Sequence, residues 1–504
     1  MQLPIILRMQ VLGRTGVSRC RRFVFVACTI ALLATIAHFG VAIWAKSEFT
    51  QPEGIVATQV RSLAEEGALY YDLKQYPYTV CAYMPLLYGT VAAMYKAGVP
   101  LLLGARLISI FAVLAILYLV WKILKLYTGE SLYAWTGFAL AGITQLLLGW
   151  GTAGRADVPA VALSLSAFYL YARYSLLGEE CLDKAAILAI LGLLFKQTAI
   201  AAPAAIFLLL ALPSPKRALR FGLIVGGIGG AIVLGFNALL DGRFLFNTVS
   251  SNLNPFALFK LQLHIEYMVG MLSPLILVAA VGAKKTFATR GKEAYVYLLA
   301  AFSLLVATAC KLGSDYNYQI ETAILLIVCT CLSMHSLNFF ELYSMGSKSW
   351  ITMLILPLAV FAVQNVRSST TSLFERIEGE QKFRVQLKEL EPIFARPGPV
   401  LSADSNSLVH FNSRIEVEPL IYRLLVEAGK VDASPVIQDI ERAKFQTILL
   451  FENIAEKPNL DPEYPRLPSD HMAAIRKNYR LTKRIPGPLA NGLYIYQPFR
   501  EQTK

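Results

Sequence analysis

Long apolar runs separated by short polar breaks fill the first three quarters of the chain, and shorter alternating segments replace them after residue 364. A run near 20 apolar residues can cross a bilayer as a helix. Eleven such runs are expected, over about 23–45, 105–124, 131–150, 158–176, 184–195, 198–212, 221–240, 265–283, 294–311, 319–336 and 350–366. The fifth and sixth are short. In the seventh, Gly222, Gly226 and Gly230 recur every four residues, a spacing that lets helices approach closely. Residues 46–104 are too polar for a clean span. Within them, 54–69 and 84–97 read as amphipathic helices in the plane of the interface, with Tyr70, Tyr71, Tyr76, Tyr78 and Tyr83 as an aromatic belt between.

Five arginines, Arg8, Arg14, Arg19, Arg21 and Arg22, place the N-terminus inside. No small-residue cleavage site follows the first run, which therefore reads as an uncleaved signal anchor. Counting spans from there sets Gln51-Pro52-Glu53-Gly54, Gly154-Arg155-Ala156-Asp157, Phe195-Lys196-Gln197 and the stretch 313–321 on one outer face. The C-terminal segment reads as a small α/β domain on that face, with strands at 400–402, 447–451 and 492–496 and helices at 419–428 and 470–479. The expected division is a transmembrane domain over 1–367 and a soluble domain over 368–504.

Composition sharpens this outline. Of 504 residues 56% are hydrophobic and only 16% charged, against about 25% charged in globular domains. Net charge is +13, yet residues 371–504 hold 19 Lys and Arg against 18 Asp and Glu. The basic excess lies in the membrane part, as positively charged inner loops require, and not on a nucleic-acid-binding surface. Seven cysteines, none beyond Cys331, show no metal-ligand spacing. Neither a Walker loop nor GxGxxG is present.

The chemistry-bearing residues sit at the span mouths, where an ionisable group is costly to keep. Glu53 can serve as a general base, or simply as a solvated acid favoured by a helix N-terminus. Asp157 can orient an acceptor, or cap the fourth span and pair with Arg155. Lys196 suits a phosphate at the bilayer surface, or snorkels at a helix end. Arg61 and Arg106 are weaker candidates of the same kind. Asp315, Tyr316, Asn317, Tyr318, Gln319 and Glu321 crowd one span entrance, with Asn317 and Glu321 one turn apart. Such planar polar and aromatic groups recognise sugars; an interfacial aromatic belt explains the tyrosines but not Glu321. The separated acids define no metal site and leave a divalent metal open.

Glu53-Gly54, Tyr83-Met84-Pro85-Leu86, Ala105-Arg106-Leu107, Arg155-Ala156-Asp157, Phe195-Lys196-Gln197-Thr198 and Asn317-Tyr318-Gln319-Ile320-Glu321, in this order between spans, resemble the bacterial family-39-like glycosyltransferases. That group of GT-C type includes protein O-mannosyltransferases and the lipid A aminoarabinose transferase. The resemblance covers roughly residues 20–340. It implies a plasma-membrane enzyme that moves a sugar from a polyprenyl-phosphate donor to a lipid, glycan or protein acceptor on the periplasmic face, with inversion. It further implies Glu53 and Asp157 as catalytic acids, and Lys196, with Arg106, as contacts to the lipid phosphate. Arg155, Asp315, Asn317, Tyr318 and Glu321 complete the expected substrate contacts. Two positions depart from the family pattern: Pro52 stands where many relatives carry Asp, and a Lys-Pro-Pro element is reduced to Tyr83-Met84-Pro85. The rival readings are a lipid-linked glycan transporter and an inactive scaffold of the same fold. Against a transporter stand the missing internal repeat and the single polar face.

Overall fold

The computed structural model describes residues 3–340, 348–456, 459, 461–488 and 492–499, with side chains described from 20 to 340 and from 354 onward. Among these, seven helices are long and apolar enough to cross a membrane, from Cys20–Trp44 to Tyr316–Ser336. The protein is a polytopic helical membrane protein. The expected third run is broken: Ser131–Ile143 and Gln145–Trp150 meet at Thr144, whose extended backbone (φ −66°, ψ 120°) interrupts the helix. The fifth and sixth runs form the short helices Leu182–Phe195 and Ala201–Ala211. Length and composition therefore support seven spans, and the full count of eleven is not fixed by them.

Burial separates the spans into two kinds. In Tyr316–Ser336, 83% of the apolar window is buried, whereas in Pro215–Leu239 only 6% is. The first is the central post of the bundle, packed by Ile324, Leu325, Ile327 and Val328. The second presents Leu223, Ile228, Leu234 and Leu239 outward, as a helix facing lipid does. It also carries a π-helical turn at Ile224–Ile228, and the span Leu258–Phe287 carries another at Met268–Leu272.

The two amphipathic helices form as expected, at Pro52–Glu66 and Pro85–Lys96, each opened by a proline whose missing N–H has no helical partner to lose. They pack on each other through Val56, Val60, Leu87 and Val91. Gly67 closes the first in the left-handed conformation at φ 70°, a position that disfavours a side chain.

A 47-residue helix, Lys348–Phe394, runs without a break through the expected boundary at 367/368 and leads into the C-terminal sheet. That sheet has strands β1 (Val400–Ser402), β2 (Thr447–Leu450), β3 (Tyr479–Ile485) and β4 (Leu493–Pro498), in the order β1-β2-β4-β3. β1 and β2 are parallel with Leu401 opposite Ile448; the other pairs are antiparallel, with Leu449 opposite Ile495. Helices Pro419–Glu427 and Ser469–Asn478 occupy the expected places. The sheet's core also takes in Leu73, Tyr78 and Val80 from the loop region 46–104. Tyr78 bridges Val417, with its N–H donating to the Glu416 carbonyl at 2.8 Å.

Candidate active site

Two polar clusters form where the loops between the helices converge. The first is centred on Asp157, the opening residue of the span Asp157–Leu177. Its Oδ1 accepts from the Lys196 ammonium and from Asn317 Nδ2 at 2.6 Å, and its Oδ2 accepts from Arg155 Nε at 3.0 Å. Residues 160 positions apart in sequence thus meet on one carboxylate. Arg155 extends its other arm to the Tyr83 hydroxyl at 2.7 Å and lies 5.2 Å from the Trp150 ring centre. Burial works against the Arg155 charge, but Tyr83 and Asp157 more than offset it and raise its pKa above the ordinary arginine value. Lys196 sits 4.3 Å above the Tyr318 ring, a favourable cation–π placement.

Asp157, Lys196, Asn317, Tyr318 and Glu321 line a small, partly open cavity. Its remaining wall is largely apolar, with Val161 and Ala199 on one side and Leu304 and Leu305 on the other. Asn317 Oδ1 is buried there without a hydrogen-bond partner, and Glu321 accepts from the Tyr297 hydroxyl. Lys311, which the sequence pattern did not single out, does not line the cavity but lies near enough to feel the charge of Lys196, and its ammonium donates to the Asn252 carbonyl at 3.3 Å. Burial, and then the charge of Lys196, hold its ammonium below the ordinary lysine pKa.

The second cluster is sealed. Glu53 is 1% exposed and Arg106 0%. Arg106 donates from Nε and Nη2 to the two Glu53 oxygens at 2.8 and 3.0 Å, and its remaining donors reach the carbonyls of Ala42, Ala45 and Ser47. The Phe49 and Gly154 amides complete the carboxylate at 2.6 and 2.7 Å. Burial pushes the Glu53 pKa up, but Arg106 and these amides outweigh it, so the group stays charged. Gly154 allows this approach: a Cβ there would lie 2.6 Å from that of Ala105.

The structure thus gathers the residues named from sequence into one cluster at a cavity and one sealed pair beside it. Asp157, Lys196, Asn317, Tyr318 and Glu321 come together at the cavity, with Arg155 behind Asp157. Glu53 and Arg106 do not line the cavity; every strong acceptor and donor on them is engaged in tying the first loop to Gly154. Asp315 is exposed and accepts from the Tyr316 N–H at 2.7 Å, capping a short turn. Arg61 is spent on the C-terminal domain, donating to the Ser413 and Leu408 carbonyls. A second opening, about 1090 Å³, lies between the loop 47–51, Trp150, Tyr316 and Arg376 of the long helix. Glu48 lines it. No periodicity marks Glu48 in the sequence, because it sits in a loop between two helices.

No family model matches the chain, and no curated protein matches it in sequence. Solved structures do match its fold. ArnT from Cupriavidus metallidurans bound to undecaprenyl phosphate aligns over 93% of this chain and 97% of its own, with a TM-score of 0.60 at 12% identity. The same protein in its apo state gives 0.61 at 11% identity, over equal shares. The Archaeoglobus fulgidus oligosaccharyltransferase, in complex with Zn and sulfate, aligns over 83% of this chain and 67% of its own at 0.50 and 11% identity. Over 93% of its length, then, this chain shares the fold of ArnT.

Proposed function

We propose that the protein is a membrane glycosyltransferase that moves a sugar from a polyprenyl-phosphate carrier to an acceptor on the periplasmic face of the plasma membrane. The observation that carries this reading is the mixed lining of the cavity: Lys196 and Asn317, gathered by the Asp157 carboxylate, beside an aliphatic wall. An amphiphile with an anionic head and a hydrocarbon tail matches both halves. That ArnT, with the same fold, binds undecaprenyl phosphate supports a polyprenyl carrier.

In this reading Lys196 faces the phosphate, whose charge grows as the glycosidic bond breaks, and Lys311 adds a second cation nearby. Fixed cations of this kind stabilise a leaving group without reorganising at the moment of reaction. Asp157 holds Lys196, Arg155 and Asn317 in register. The free Asn317 Oδ1 and the Glu321 carboxyl are placed to accept from sugar hydroxyls. Glu53 is a positioning residue: it fixes the backbone at Gly154, one residue before Arg155, and so sets the direction of that side chain.

The test is turnover of a panel of polyprenyl-phosphate sugars by the purified full chain, read as release of lipid phosphate. Release by the wild type and its loss in Asp157→Asn is the expected result. Failure of the wild type to consume or bind any donor would overturn the reading.

A further inference from the structure

The carboxyl group of Glu48 is not absorbed by the site described so far. Its Oε2 accepts from the Gly54 N–H at 3.1 Å, and among the described residues Oε1 makes no hydrogen bond. The side chain is half-buried and borders the second opening. Against it lie Gly54 and Ser405: a Cβ on Gly54 would come within 2.7 Å of Glu48 Oε2 and 2.6 Å of Ser405 Oγ. Ser405 is 3% exposed and its hydroxyl has no partner. The charged groups around Glu48 are Asp404, Glu53 and Arg106, and Glu375 and Arg376 line the same opening. Glu53 is fully occupied by Arg106 and two amides, and Asp404 by Gln386, Ser407 and two N–H groups of its own turn. Glu48 is therefore the one carboxyl of the three with an uncommitted oxygen next to open space.

The opening has the lining of a saccharide site. Trp150 and Tyr316 offer aromatic faces, and Gln51 and Gln145 offer amides. No residue lines both openings, but their linings are joined through neighbours. Trp150 lies against Arg155, which binds Asp157, and Tyr316 immediately precedes Asn317 and Tyr318.

We propose that this opening receives a hydroxylated, saccharide-like acceptor and that Glu48 takes the proton from its attacking hydroxyl. The inference rests on the glycosyltransferase reading. In the step, the acceptor oxygen bonds to the anomeric carbon and the carbon–oxygen bond to phosphate breaks. The phosphate leaves with the bonding pair, and the hydroxyl proton passes to Glu48. Burial, and then the charges of Asp404 and Glu53, raise the Glu48 pKa well above the ordinary carboxylate value, so a proton taken up there is held more firmly than on an exposed carboxylate.

The experiment follows labelled sugar from polyprenyl-phosphate donors to an alkyl glycoside and to an alkylamine, across pH, with the full chain. Transfer to the glycoside is expected, rising with pH as Glu48 loses its proton. In Glu48→Gln transfer should fall about a hundredfold or more, the scale of general-base loss, and the rising limb should vanish. Binding of polyprenyl phosphate should be unchanged. If Glu48→Gln does not bind the lipid and so fails to fold, Glu48→Asp replaces it and should displace the rising limb. Equal rates and an unmoved pH profile in either folded variant would overturn the role of Glu48 while leaving the enzyme reading intact. Transfer to the amine alone would overturn the acceptor class. No consumption of any donor by the wild type would overturn both readings together.

Discussion

Arg106 and Glu53 are joined by two hydrogen bonds, at 2.8 and 3.0 Å, and neither side chain reaches solvent. Removing one partner of such a pair leaves an uncompensated buried charge and costs about 3–5 kcal/mol. Glu53→Gln should therefore lower the thermal unfolding midpoint of the detergent-solubilised protein. Replacing both residues, as in Glu53→Gln with Arg106→Met, should recover part of the loss, because no charge is then stranded. A Glu53→Gln protein that melts like the wild type but turns over nothing would instead assign Glu53 to the chemistry.

Asp157 and Lys196 should separate binding from turnover. Lys196→Ala removes the cation at the cavity and should weaken polyprenyl-phosphate binding by tenfold or more, since a hydrogen bond to a charged group contributes about 1.5–3 kcal/mol. Asp157→Asn frees Lys196 from its carboxylate, so binding should hold or tighten while the turnover rate falls. Titration of the lipid phosphate against both variants, beside their rates, would show the split. A parallel loss of binding in both would contradict it.

Gly54 sits where the first loop meets the C-terminal domain, and a methyl group there would come within 2.8 Å of the Asn406 amide nitrogen. Backbone cannot yield as a flexible side chain can, and overpacking of this kind costs about 1–3 kcal/mol. Gly54→Ala should lower the melting temperature and increase protease sensitivity near Ser405. Gly89, with no atom within 4 Å of its added Cβ, serves as the control: Gly89→Ala should be neutral or slightly stabilising, since alanine is favoured inside a helix.

Glu418 gives a pH signature outside the membrane. It accepts from the Leu420 and Ile421 amides at the start of Pro419–Glu427, yet burial outweighs these bonds and raises its pKa to about 7. Between the ordinary carboxylate value and about 7 the folded state holds the extra proton. Its contribution to stability is complete below that window and is lost as pH rises through about 7. The melting temperature of the wild type should carry a decline across this window that Glu418→Gln lacks. Equal slopes for the two proteins would contradict the assignment.

Much of this was readable from the chain. Seven long apolar helices and two short amphipathic ones follow from hydropathy, and Asp157, Lys196 and Asn317 were findable because each stands near a helix end where charge or amide is costly. Glu53 was found for the same reason. Its sealed position, however, depends on Arg106 and on the Gly154 amide 101 residues away, which no local pattern encodes. β3 escaped notice because its middle residues, with Arg480, Lys483 and Arg484, are exposed; charge along an edge strand guards it against pairing with another chain and masks its strand character. Helices Ser405–His410 and Ser434–Glu441 were too short for a periodic signal.

The placing of Leu73, Tyr78 and Val80 inside the sheet's core has a consequence for biosynthesis. These residues leave the ribosome more than 300 positions ahead of β1 and β2. At about 5–20 residues per second, this loop region waits on the order of tens of seconds for the strands that cover it. Through that interval its tyrosines stay open to chaperones and proteases, and a chain truncated before residue 400 never closes over them.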